Sequence, residues 1–232
     1  MLIYQEKIKI LSNMCGPDGY VKPSGILDIF QTVAGKHANQ LEIGMAKLYP
    51  NYSWVLMRIR YELIKPIRME SEVEVITWPH PEGKIDFDRD FLIKDLDGNI
   101  LVKGASKWVV INMKTRRIER TSTFKYPGEC SLESNFTMIE KIDCSEVVFT
   151  ENRHYEIRPS DIDLVGHLNN TKYADLCYDL CPKNYRTFTI NYNHEISLGE
   201  NVLIEKGTKD GFVYIKVDNR FNARLEVFEN EL

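Results

Sequence analysis

Moved along itself by 147 positions, the chain meets its own pattern: Gly19-Tyr-Val-Lys-Pro-Ser-Gly-Ile-Leu-Asp-Ile-Phe30 lies over Gly166-His-Leu-Asn-Asn-Thr-Lys-Tyr-Ala-Asp-Leu-Cys177. A fixed offset between similar patterns marks duplicated structure, with each copy built as one supersecondary unit. In both copies a Gly turn precedes a helix-start signal, Pro23-Ser24 in one and Asn169-Asn170 in the other, and an apolar stretch follows. Each copy is therefore expected to open one helix. The first should begin near Pro23 and run toward Leu48, since Ile26, Ile29, Phe30, Val33, His37 and Leu41 recur at three- and four-residue spacing. The second should begin near Asn170 and carry Tyr173, Leu176, Cys177 and Leu180 on one face, with Pro182 marking its end.

Strand-like sequence follows each helix. In the first copy Trp54–Leu63, Glu72–Trp78, Lys84–Asp95 and Ile100–Asn112 are rich in β-branched and aromatic residues, and Asp97-Gly98-Asn99 is a hairpin signal. In the second, Thr187–His194, Asn201–Lys206, Gly211–Val217 and Arg224–Glu229 keep the same order, with turns at Lys209-Asp210-Gly211 and Asn219. Four strands after one helix, twice over, do not make the alternating pattern of a dinucleotide-binding sheet. The order suits an α+β class chain in which two curved antiparallel sheets each wrap around a long helix, a tandem hotdog. Residues 1–120 would form the first unit and residues 151–232 the second. Between them, residues 121–150, with Pro127-Gly128 and several Ser and Glu, lose the periodicity and read as a linker. That linker is long for a simple loop and should cross the surface of one sheet.

Composition narrows the function classes. With 232 residues, 43% hydrophobic, the chain has enough apolar material for one large core or two small ones. A formal charge of −4 and no basic stripe argue against nucleic acid as a partner. The five cysteines are odd in number and form no CxxC pair, which fits a reduced intracellular protein. The N-terminus alternates charged and apolar residues, unlike a signal peptide, and no window approaches a membrane span. A cytoplasmic location is expected.

Several motifs point to one family. Asp161-Ile-Asp-Leu-Val-Gly-His-Leu-Asn-Asn-Thr-Lys-Tyr173 resembles the D-x-D-x-N-x-H-V-N-N-x-x-Y signature of acyl-acyl-carrier-protein thioesterases of bacterial and plastid type. Trp54-Val-Leu-Met-Arg58, Val75-Ile-Thr-Trp78-Pro79, Arg89-Asp90-Phe91, and Trp108-Val109-Val110 followed by Thr115-Arg116-Arg117 resemble that family's internal motifs, in its order. The resemblance implies hydrolysis of a fatty acyl thioester on acyl carrier protein, without a cofactor, and leaves room for a homodimer. It places the family's catalytic Asp on Asp163, its His on His167 and its Glu on Glu195, the last on the strand after the helix. One departure stands out: the family's Asn two residues before the His is Val165 here. Where some plant members carry Cys after the Glu, this chain has Ile196, which excludes a cysteine nucleophile at that position.

Those residue types suit thioester hydrolysis by activated water, and no G-x-S-x-G elbow offers a serine route. Glu195 is read as the base or water-orienting group, His167 as its hydrogen-bonding partner and proton donor, and Asp163 as orienting substrate or His. Backbone N–H groups around Gly166, His167 and the helix start at Asn169-Asn170 are expected to meet the oxyanion, with Asn170 equally suited to capping the helix. Set beside the repeat, His167 falls over Tyr20, and Tyr61-Glu-Leu-Ile64 lies over Tyr192-Asn-His-Glu195. The first copy is thus expected to be catalytically empty and to line the acyl pocket. His37 reads as a core histidine, and Trp54, Trp78 and Trp108 as sheet and pocket packing. His154 and His194 are candidate neighbours of the site, and the histidines show no metal-ligand spacing. Three other functions compete: hydrolysis of acyl-coenzyme A, a non-catalytic acyl-thioester-binding regulatory module, and a dehydratase whose helix-borne carboxylate would be Asp28 or Asp175.

Overall fold

The computed structural model describes residues 1–218 and 220–227. Strand β1 (Tyr4–Lys9) leads to helix α1 (Pro23–Gln40) and the single turn α2 (Met45–Leu48), then to β2 (Tyr52–Leu63), β3 (Glu72–Pro79), β4 (Phe87–Lys94) and β5 (Ile100–Asn112). A second series follows: β6 (Val148–Glu156), α3 (Asn170–Tyr178), β7 (Tyr185–Tyr192), β8 (Asn201–Lys209), β9 (Phe212–Val217) and β10 (Phe221–Val227). Instead of the two sheets expected from the sequence, all ten strands form one antiparallel sheet in the order β1-β3-β4-β5-β2-β7-β10-β9-β8-β6. Its two halves mirror each other about a seam where β2 pairs β7, from Arg58 opposite Asn191 to Glu62 opposite Thr187. The seam is sealed inside by the Tyr61 and Tyr185 hydroxyls, 2.7 Å apart.

Alternation along the strands decides which face the helices cover. Ile59 and Tyr61 of β2 are buried toward the helices, while Arg58, Arg60 and Glu62 point the other way. On the helical face Phe30 of α1 stacks on Phe91 of β4 with ring centroids 4.3 Å apart. That contact needs Gly104, because a Cβ there would lie 2.3 Å from the Phe30 ring. In the other half Tyr173 of α3 stacks on Phe221 of β10 at 4.9 Å.

Both helices are shorter than the spacing suggested. After Gln40 the chain turns through Glu42 at φ +59° and resumes only as the four-residue α2. Helix α3 has nine residues, capped by the Asn169 side chain, which accepts from Thr171 N. Asn169, and not Asn170, is therefore the cap. Strand β6 starts at Val148, within the stretch read as linker. The Asn219 turn and residues 228–229 of the last expected strand lie outside the described residues.

The segment before β6 crosses the outer face of the sheet. Trp78 Nε1 donates to Glu133 O at 2.9 Å, Asn135 Nδ2 to Phe91 O at 2.8 Å, Arg58 to Ile139 O at 3.1 Å, and Ile142 N to Asn191 Oδ1 at 2.5 Å. Trp78 thus sits under this segment, away from Trp54 and Trp108.

The repeat recurs in the backbone bonds. Gly16 N donates to Tyr20 O at 2.8 Å, as Asp163 N does to His167 O, and Gly19 and Gly166 close the two turns at φ +77° and +89°, where only Gly is comfortable. Val21 N donates to Ile67 O and Leu168 N to Ile196 O. Past the helices the two halves therefore match at an offset of 129, so Glu195 corresponds to Pro66 and not, as residue similarity suggested, to Ile64.

Candidate active site

A turn, a helix start and a loop converge at the seam. The turn before α3 is folded by Asp163, whose Oδ1 accepts from Val165 N at 3.0 Å and His167 N at 3.2 Å, while its carbonyl accepts from Gly166 N at 3.1 Å. This is a side chain standing in for a missing backbone acceptor, as Asp does in tight turns. It orients His167 through the main chain. An isolated bridge between His167 and Ser197 then brings in the loop after β7. Glu195 lies on that loop, beyond the strand end at Tyr192 that the sequence had extended to His194. Its Oε2 is 2.9 Å from His167 Nε2. Its Oε1 pairs with Arg116 from the turn after β5, and its carbonyl accepts from Arg220 Nη1 at 3.3 Å.

Two adjoining cavities open here. One of about 450 Å³ contains His167, Glu195 and Arg116 in its wall. The other, about 390 Å³, runs under α1 between Ala34, Ala38, Phe87 and Trp108. Ser53, Trp54, Asp163, Val165 and Asn170 line both. The first holds the ionisable groups, and the second is apolar over most of its wall. Helix α1 roofs the second lobe with its last two turns, residues 32–40, which have no counterpart in the nine-residue α3.

Arg89, in the wall of the apolar lobe, donates a hydrogen bond to Nδ1 of the buried His37 at 3.0 Å. Burial, reinforced by the Arg89 charge, lowers the His37 pKa to about 4. It is therefore a neutral core histidine at physiological pH.

Three expectations change. The amides of Val165, Gly166 and His167 are engaged by Asp163, so they are not free for an oxyanion. What remains is Asn170, whose N–H has no hydrogen-bond partner among the described residues and whose residue lines both lobes. His194 does line the first cavity, whereas His154 is exposed on the edge strand β6. Asp175 is taken up by Lys22 and Lys172, and Asp28, its pKa raised by burial, bonds Thr171; neither lines the cavities. Arg116 is the group that sequence reasoning missed. Its only signal was its place in Thr115-Arg116-Arg117, since a lone Arg in a polar turn has no local signature.

Family models match the chain on both sides of the seam. Residues 1–123 match the acyl-ACP thioesterase N-terminal domain and residues 144–226 its C-terminal domain. The chain belongs to the acyl-ACP thioesterase family. An oleoyl-acyl carrier protein thioesterase of Coriandrum sativum is 27% identical over 84% of this chain and 59% of its own length. A palmitoyl-acyl carrier protein thioesterase of Arabidopsis thaliana is 25% identical over 84% of this chain and 52% of its own. The chain thus spans little more than half the length of these plant members of the family. The fold is shared with solved structures of near-equal length. An acyl-ACP thioesterase of Bacteroides thetaiotaomicron has a TM-score of 0.78 at 23% identity, covering 98% of each chain. The 12:0-ACP thioesterase of Umbellularia californica has a TM-score of 0.77 at 21% identity, covering 97% of each.

Proposed function

We propose that this chain hydrolyses the thioester of a fatty acyl group on acyl carrier protein, releasing free fatty acid and the carrier thiol. The reading includes a tandem hotdog, with units at residues 1–120 and 151–232, and an active site carried by the second unit. The observation that supports it most directly is the 2.9 Å contact of His167 with Glu195 in the wall of a cavity that adjoins an apolar one. An acyl chain fits the apolar lobe and its thioester carbonyl then lies among Asp163, His167, Asn170 and Glu195.

In this mechanism Glu195 accepts the His167 Nε2–H, which leaves the lone pair on Nδ1. Water attacks the carbonyl carbon and gives its proton to the imidazole. The oxyanion is met by the Asn170 N–H at the positive end of α3. Collapse breaks the C–S bond, and the imidazolium returns its proton to the departing sulfur. Asp163 keeps the turn in place and does not exchange protons.

The test is hydrolysis of an acyl ladder on acyl carrier protein and on coenzyme A. Turnover with the carrier as the preferred donor supports the proposal. Preference for coenzyme A would move the substrate class, and tight acyl-thioester binding without hydrolysis would make the protein a regulatory module.

A further inference from the structure

We propose that Arg116, a residue of the N-terminal half, is the positioning residue of the active site in the C-terminal half, acting through Glu195. The inference rests on the reading of Glu195 and His167 as the hydrolytic pair. Glu195 sits on an irregular loop with its side chain 42% exposed, where a carboxylate has several rotamers open to it. Ordering such a side chain costs rotamer freedom, which a fixed partner must offset. Among the described residues only two side chains hold its carboxylate: Arg116 on Oε1 and His167 on Oε2. With Oε1 anchored, Oε2 is presented to the imidazole in one arrangement.

Arg116 is itself delivered by a built turn. Its φ of +58° is one that non-glycine residues seldom adopt. The turn is held around Asn112: the Asn112 carbonyl accepts from Arg116 N at 2.8 Å, its N–H donates to Arg117 O at 2.9 Å, and its Oδ1 accepts from Lys114 N and Thr115 N, both at 3.0 Å. Met113 N donates to Asn51 O at 2.9 Å and ties the turn to the start of β2. Lys114 and Arg117, on either side, make no ion pair among the described residues, so the turn aims one cation of three across the seam. Arg116 and Met113 both line the first cavity. A half without its own catalytic groups thereby completes the site of the other.

The experiment compares Arg116→Gln and Arg116→Lys with the parent, alone and with Glu195→Gln, on an acyl carrier substrate and on a small acyl thioester lacking the carrier. Arg116→Gln should lower kcat about tenfold or more on both substrates with KM nearly unchanged, as expected when a reacting group is misplaced. Arg116→Lys should recover part of that loss. In the Glu195→Gln background, Arg116→Gln should add nothing further. A rise in KM confined to the carrier substrate, with kcat intact, would overturn the proposal in favour of a docking role. So would a loss of equal size in both backgrounds. Full activity of Glu195→Gln alone would instead break the underlying reading of the site.

Discussion

Where the C-terminal half sets Asp163, His167 and Glu195, the N-terminal half sets Gly16, Tyr20 and Pro66 in the same network of backbone bonds. At the helix start Asn170, whose N–H has no partner among the described residues, corresponds to Pro23, which has no N–H. At Gly16 the missing carboxylate leaves room that the Tyr178 hydroxyl takes, since a Cβ there would lie 2.1 Å from it. The turn is thus needed by both halves as architecture, and only one half has loaded it with a carboxylate and an imidazole. The N-terminal half diverges the other way, by lengthening its helix to 18 residues and roofing the apolar lobe.

The largest effects should come from the turn before α3 and the loop after β7 that meets it. Replacing His167 or Glu195 by Ala is expected to lower turnover about a hundredfold or more with the fold intact, whereas Tyr20→Phe should leave it within about twofold. Circular dichroism and steady-state rates check both, and near-normal rates in either alanine variant would refute the assignment of the site to the second half.

Acid sensitivity should belong to the other half. In the unfolded chain His37 takes up its proton near 6.5, but in the folded core only near about 4. Between these values the unfolded state binds a proton that the folded state does not, so stability falls as pH drops from 6.5 toward 4 and levels off below. The loss reaches up to about 3 kcal/mol, and His37→Gln should flatten that limb of the denaturation midpoint. An unchanged limb would mean that His37 is protonated in the folded protein.

A smaller effect concerns the roof. Ala38→Leu narrows the apolar lobe, and turnover on the longest accepted chains should drop about tenfold relative to shorter ones. An unaltered chain-length profile would place the acyl chain elsewhere.

Smallest of all is Val165→Asn, which restores the family residue. Because the amides beside it are held by Asp163 and its side chain lines both lobes, turnover should stay within about threefold or fall, since an unsatisfied buried amide costs on the order of 1–3 kcal/mol. A tenfold gain would show that this site lacks a polar group it needs.

The sequence carried the duplication, the order of strands and the groups on the loaded turn, because those rest on local signals: periodicity, Gly at positive φ, and a dense polar motif. It did not carry the merging of two sheets into one, which depends on β2 meeting β7 across the whole chain. Nor did it carry the true partner of Glu195, since Pro66 and Ile64 differ in register and not in character. Helix α1 was overrun because Leu41 and Leu48 keep the apolar spacing while Glu42 breaks the backbone. Asp163 engaging the neighbouring amides was hidden for the same reason as Arg116: side-chain reach leaves no period to read.

The β2–β7 seam also sets a timetable for the nascent protein. Strand β2 ends at Leu63 and its partner begins at Tyr185, 122 residues later. At roughly 5–20 residues per second of synthesis, the first half waits on the order of ten seconds with β2 paired to β5 on one side and its other edge open. During the wait Arg58, Arg60 and Glu62 put a charge at every second position along the open edge, the means by which an edge strand avoids recruiting another chain.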